Sequence, residues 1–172
     1  LWRWPQAPCH SAQQRGRSMS AQEEQILAAL VRDVPYIQFL GIEFCWQEAG
    51  VLASLPFQPM LIGNPSVPAL HGGVTAAFLE VTALISLTYA SLLPEIAAGR
   101  IDLKDAAPVL PKTINFGVDY LRSGQDKPAF ARASVNRIGR RYASVQVEAW
   151  QEDATRPFAL GSGRFLMAGA AA

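Results

Sequence analysis

The run NPSVPALHGGVTAAFLEVTALISLTYA, Asn64 to Ala90, constrains this chain more than any other stretch. A loop rich in proline and glycine turns at His71-Gly72-Gly73 into a long, almost wholly apolar segment, which reads as one helix buried on all sides by protein. A single acid, Glu80, interrupts it among Ala76, Ala77, Phe78, Leu79, Val81, Ala83 and Leu84. A lone carboxylate is costly to bury unless something compensates it. Glu80 is therefore the first residue to examine for chemistry.

The apolar window from Val74 to Ala98 is long enough to raise the question of a membrane span. Glu80 within it, Thr82, Ser86 and Thr88 along it, Pro94 and Glu95 near its end, and the lack of a flanking Lys/Arg cluster all argue for a core helix. A chain of 172 residues, half of them hydrophobic, suits one domain with a proper core. Its formal net charge of +1 makes no case for nucleic acid as a partner. Cys9 and Cys45 form neither a C-x-x-C pair nor a disulfide framework, so a reduced, cytoplasmic protein is expected.

Residues 1–18 have no periodicity and carry Arg3, Arg15 and Arg17 without an acid. They read as a leader or non-native extension ahead of Met19, with an organellar transit peptide as the alternative, and Trp2, Trp4 and His10 receive no functional weight. Residues 19–167 form the predicted domain and 168–172 a Gly/Ala tail. Ser20 and Glu23 make a capping-box pattern ahead of a short amphipathic helix that ends near Pro35. GIEFCWQEAG and VLASLPFQP predict a hairpin turning at Glu48-Ala49-Gly50, with Pro56 and Pro59 confining the second strand to an edge or ending it. Met60 to Leu70 reads as loop. The central helix is expected to close before Pro94, leaving Ser91 to Lys112 as a long connection and a candidate wall or lid of a ligand site.

From Thr113 the period changes to two. Ile114, Phe116, Val118 and Tyr120 share one face of a strand; Ala131, Ala133 and Val135, then Ala143, Val145, Val147 and Ala149, do the same in two more. A last run covers Phe158 to Met167. The predicted fold class is α+β: a curled antiparallel sheet whose apolar face wraps one long helix. That layout leaves sheet edges and an outer face uncovered, so self-association is expected.

Gly72 and Gly73 at a helix start present free N–H groups, a partial positive charge and room for a ligand to approach the backbone. Such an end suits a carbonyl oxygen that becomes negative during acyl transfer. Two glycines would equally permit close helix–sheet packing, with His71 as a hydrogen-bonding cap. Glu80, flanked by alanines at i−4, i−3 and i+3, lies on a shallow helix surface that a substrate can reach, which fits a general base or nucleophile. An Arg such as Arg132 could instead neutralise it. The two features stand about 12 Å apart along the axis at 1.5 Å per residue, too far to act on one carbonyl. If both are catalytic, two subunits must place their helices antiparallel and share each site.

The run H-G-G-V-T-A-A-F-L-E resembles the helix motif of hotdog-fold acyl-CoA thioesterases of the phenylacetate-pathway and hydroxybenzoyl-CoA thioesterase type, over about Gly41 to Met167. The resemblance implies a hotdog fold and hydrolysis of an acyl-CoA thioester, with the Gly72 N–H polarising the carbonyl and Glu80 activating water or attacking directly. It places His71 and Gly73 at the site, Asn64 ahead of the His to orient water or carbonyl, and Thr113 where some members carry a water-assisting Ser. For the CoA nucleotide it implies basic residues near the interface, here Arg122, Arg137, Arg140 and Arg141, with Arg140-Arg141 foremost. The expected assembly is a homodimer with shared sites, or a dimer of dimers, with no metal and no cofactor beyond the CoA of the substrate. Asn64 sits one residue further from the His than is usual in the family, and the connection to Thr113 is longer.

Two other functions compete. A hotdog dehydratase or hydratase would need a catalytic His, and only His10 and His71 exist. A non-catalytic acyl-CoA sensor would keep the Gly72 end and the arginines but would have no use for Glu80.

Overall fold

The computed structural model describes residues 21–167 except 33, 48–49 and 101–108. The Ser20 capping box, the Glu48-Ala49 turn and the middle of the predicted lid lie outside the described residues. Helix α1 (Ala21–Arg32) buries Ile26, Leu27 and Leu30, and α2 (Pro35–Leu40) closes on Gly41, whose φ of 67° is the left-handed conformation that glycine tolerates. Strands β1 (Glu43–Gln47) and β2 (Gly50–Leu55) form the expected hairpin, and β2 stops one residue before Pro56.

Met60 to Leu70 is not simply loop. A 3-10 turn (Pro59–Leu61) leads into β3 (Ile62–Asn64), which pairs with β4 (Ala69–Leu70). The ribbon is held because Leu61 is buried and its carbonyl accepts the His71 N–H at 2.8 Å, while the Leu70 N–H donates to Gly124 O. Gly63 makes this approach possible: a Cβ there would stand 2.7 Å from the His71 Cα.

Helix α3 (Gly72–Ala97) does not close before Pro94 but carries it inside. Pro94 is exposed, so its ring and missing N–H face solvent, while Ile96 is buried and anchors the final turn. The chain leaves the helix through Gly99, at φ 68°, and Arg100 pairs with Glu95 at 2.7 Å. That hydrogen-bonded guanidinium holds the Glu95 carboxyl below its usual range.

Strands β5 (Lys112–Tyr120), β6 (Ala129–Ile138), β7 (Tyr142–Trp150) and β8 (Ala159–Leu166) complete a six-stranded antiparallel sheet among the described residues, in the order β1-β2-β6-β7-β8-β5. Its inner face packs on α3 chiefly through β6, β7 and β8. Small residues let the sheet approach closely: Ala131, Ala149 and Ala159 are fully buried, and Gly161 and Gly163 make room for the ring of Phe116. This is the predicted α+β layout, and it makes the apolar length of α3 a core element.

Two register shifts break the period-two reading. In β5, Thr113 pairs with Phe165 and Asn115 with Arg164, so Ile114 is extra and bulges outward, 54% exposed. In β6, Val135 pairs with Val145 and Arg137 with Ser144, so Asn136 is extra. Each bulge moves the residues on one side of it to the opposite face of the sheet.

Candidate active site

The start of α3 is built as a capped, clamped turn. The His71 Nδ1 accepts the Gly73 N–H at 2.9 Å, and the His71 carbonyl accepts the Thr75 N–H. An Nδ1 that accepts leaves the neutral ring's proton on Nε2. A Cβ at Gly73 would press to 3.0 Å from that Nδ1, so glycine at 73 is what lets the imidazole reach across as a cap. The Gly73 N–H is thereby taken, and Gly72 carries the first N–H of the helix not used in this cap. The hydroxyl of Tyr120, at the end of β5, donates to the Gly72 carbonyl at 2.8 Å.

A cleft of about 350 Å³ opens beside Gly72, bounded by Leu70, Thr75, Tyr120, Arg122, Gly124 and Phe158 among others. Gly72 is exposed within it, and a Cβ there would meet the Tyr120 ring only at ordinary contact distance, 3.5 to 3.6 Å. The cleft therefore leaves a free approach to the Gly72 backbone. Asn64 pairs across the ribbon with Ala69, which lines the cleft, but does not line it itself; it is exposed, and its Oδ1 accepts the Ser66 N–H at 3.0 Å.

Glu80 is half-buried in the single chain, so the full cost expected of a wholly buried acid is not incurred. Arg132 does not neutralise it. That guanidinium donates to Gln47 Oε1 at 2.8 Å and stacks over Trp150. Around Glu80 the helix shows the half-buried apolar residues Val74, Ala77, Val81 and Leu84.

Thr113 is exposed at the opposite end of β5 from Tyr120, about 24 Å away at 3.4 Å per residue. Within one chain, Gly72, Glu80 and Thr113 are strung along the molecule and do not converge. The arginines divide likewise. Arg122 lines the Gly72 cleft, whereas Arg137, Arg140 and Arg141 line a separate pocket of about 370 Å³ at the β6–β7 turn. Sequence reasoning missed two residues that the fold adds: Tyr120 at the helix start, and Arg164, which shares the arginine pocket. Arg137, Ser144 and Arg164 form one cross-strand row on the outer face, a row that exists because of the Asn136 bulge. The sequence signal for Arg164 was its polar place in the alternation of Phe158 to Met167; Tyr120 gave none, since an aromatic on an apolar strand face reads as core.

The sequence profile of the Thioesterase superfamily matches residues 68–158, more than half of the chain, from just before His71 through β7. The chain belongs to the thioesterase superfamily. It is 34% identical over 125 residues to the medium/long-chain acyl-CoA thioesterase YigI of Salmonella typhimurium, covering 72% of this chain and 79% of that one. Among solved structures, a Shewanella oneidensis protein related to the thioesterase superfamily superposes with a TM-score of 0.69 at 26% identity, over 86% of this chain and 99% of that one. The Escherichia coli PaaI protein from the phenylacetic acid degradation operon superposes with a TM-score of 0.64 at 18% identity, over 88% and 97%. This thioesterase is a hotdog-fold thioester hydrolase, as the H-G-G-V-T-A-A-F-L-E motif implied.

Proposed function

We propose that the protein hydrolyses acyl-CoA to free acid and CoA in sites completed by two subunits. The observation that carries this reading is the separation on α3 between the exposed Gly72 end and the half-buried, carboxylate-bearing position 80, about 12 Å along the axis. A thioester carbonyl seated on the Gly72 N–H is beyond reach of Glu80 of the same chain. Two α3 helices side by side and antiparallel across a two-fold axis bring Gly72 of one protomer to Glu80 of its partner. The half-buried stripe Val74, Ala77, Val81 and Leu84 supplies an apolar surface for that contact. The sheet edge at β5, with Ile114 and Leu121 exposed, supports continuation of the sheet into the partner. A dimer of dimers would further cover the outer sheet face.

In such a site Glu80 takes a proton from water as the water oxygen adds to the thioester carbonyl carbon. The negative charge that forms on the carbonyl oxygen is met by the Gly72 N–H and the positive end of the α3 dipole. Collapse breaks the C–S bond, the acid is released, and the leaving thiolate recovers the proton from Glu80. Direct attack by Glu80, giving an anhydride that water then opens, is the alternative course for the same groups. His71 caps the helix, Gly73 gives it room, and Asn64 in the β3–β4 ribbon and Thr113 from the far end of a strand are candidates to orient the water.

Arg122 beside the cleft, and Arg137, Arg140, Arg141 and Arg164 at the other end of the sheet, are the proposed phosphate ligands of CoA. An antiparallel β5–β5 pairing carries the partner's arginine pocket toward this chain's Gly72 cleft, so the nucleotide and the thioester are held by different subunits. A cytoplasmic location goes with this reading, supported by a sequence with two cysteines and neither a C-x-x-C pair nor a disulfide framework.

The test is a panel of short, medium, long and aromatic acyl-CoA substrates with a thiol reagent reporting CoA release. Medium and long chains come first, because the YigI relatives are named for them. Binding of acyl-CoA with no release across the panel would overturn the reading.

A further inference from the structure

Given the proposed use of the Gly72 N–H, we infer that Tyr120 is a positioning residue for that donor: its hydroxyl and the His71 imidazole clamp the Gly72–Gly73 peptide from both ends. The two contacts fall on one peptide plane. Its carbonyl accepts from Tyr120 Oη at 2.8 Å, and its N–H donates to His71 Nδ1 at 2.9 Å. The preceding plane, which carries the Gly72 N–H, is tied at its carbonyl end by the Thr75 N–H at 3.1 Å.

The need for a clamp follows from the sequence. Two consecutive glycines at a helix start form a backbone with wide conformational freedom, in a turn whose N–H groups lack helical partners. An oxyanion donor contributes only when it is held in place before the charge develops. His71 is local and supplies one tether. Tyr120 comes from 48 residues further on and ties the turn to the sheet. A carbonyl has two lone pairs, so accepting from Tyr120 leaves the helical hydrogen bond intact. Tyr120 is 55% exposed, and its ring lines the cleft beside Gly72, so it is not placed there to fill the core.

The clamp predicts a specific kinetic signature. Tyr120→Phe keeps the ring and deletes the hydroxyl; kcat should fall roughly three- to tenfold, the worth of one hydrogen bond, with KM unchanged and the protein still fully folded at the assay temperature. Tyr120→Leu removes the cleft wall as well and should also raise KM. Backbone amide exchange at Gly73 should quicken in Tyr120→Phe, a change that a purely steric wall would not produce. If Tyr120→Phe keeps the parent kcat and only Tyr120→Leu is impaired, the residue is a wall and the inference falls. A fall in kcat that tracks a partly unfolded population at the assay temperature overturns it too. Glu80→Gln in the same assay separates the two levels: full activity there defeats the catalytic reading itself, whereas an inactive Glu80→Gln beside a fully active Tyr120→Phe defeats only the clamp.

Discussion

Gly72 and Glu80 lie on one unbroken helix, α3, eight residues apart, with the first exposed at its N-terminus and the second half-buried below it. At about 1.5 Å per residue no bending of a continuous helix brings them together. Chemistry that needs both therefore needs two chains.

Mixing two inactive variants tests this directly. Gly72→Val blocks the approach to the helix end and Glu80→Gln removes the base. In a mixed dimer one site receives both lesions and the other receives neither. Refolding the two together at equal amounts should restore about a quarter of the parent activity, since half the dimers are mixed and each has one good site. No recovery in a mixture shown by mass spectrometry to contain the heterodimer would place each site within one chain.

Glu80→Gln alone should lower kcat by roughly 10²- to 10⁴-fold, the range for losing a general acid–base group. Stability should stay within about 0.5 kcal/mol of the parent, because the carboxylate is half-buried and its described neighbours give it no ion pair to lose. CoA release and a thermal melt on the same sample check both halves.

Arg140→Ala and Arg164→Ala should each raise KM for acyl-CoA about tenfold, the loss of one charge-assisted hydrogen bond, with kcat little changed. The same variants should hydrolyse a truncated thioester lacking the nucleotide, such as an acyl-N-acetylcysteamine, as well as the parent does. An equal KM effect on the truncated substrate would remove the phosphate role.

Gly63→Ala should destabilise the protein by about 1–3 kcal/mol, because the added methyl meets backbone that cannot swing aside. Its neighbour would be the His71 Cα at 2.7 Å. Urea denaturation measures the loss, and a change under about 0.5 kcal/mol would mean that the β3–β4 ribbon gives way more easily than the bonds from His71 N–H to Leu61 O and from Leu70 N–H to Gly124 O imply.

Gly161→Ala should cost a similar amount, about 1–3 kcal/mol, through overpacking against the Phe116 ring, 2.7 Å from the new methyl. Phe116→Leu in the same chain should restore part of that loss, since a smaller side chain opens the space. Failure of the second change to help would move the clash elsewhere, to Leu79 at 3.4 Å.

Much of the fold was legible because it rests on local patterns. A long apolar run with one acid can bury itself only as a core helix, and period-two runs of small apolar residues can only be strands packed on it. The capping role of His71 and the opening at Gly72 also follow from residues adjacent in the chain. The end of the helix was misread because Pro94 faces solvent while Ile96 is buried, a matter of which side of α3 meets the rest of the protein.

By itself, then, the sequence determined the core helix, the strands of the main sheet, the family and the eight-residue spacing between Gly72 and Glu80, all of which depend on spacing along the chain. Only the tertiary structure decided what meets across it. One extra residue at Ile114 turns Thr113 toward the helix side, and one at Asn136 turns Arg137 outward beside Ser144 and Arg164. A strand's facing reverses with a single-residue slip, and register is set by pairing with distant strands. Tyr120 reaches Gly72 for the same reason: β5 must end where α3 begins, and that is fixed by the closure of the sheet around the helix.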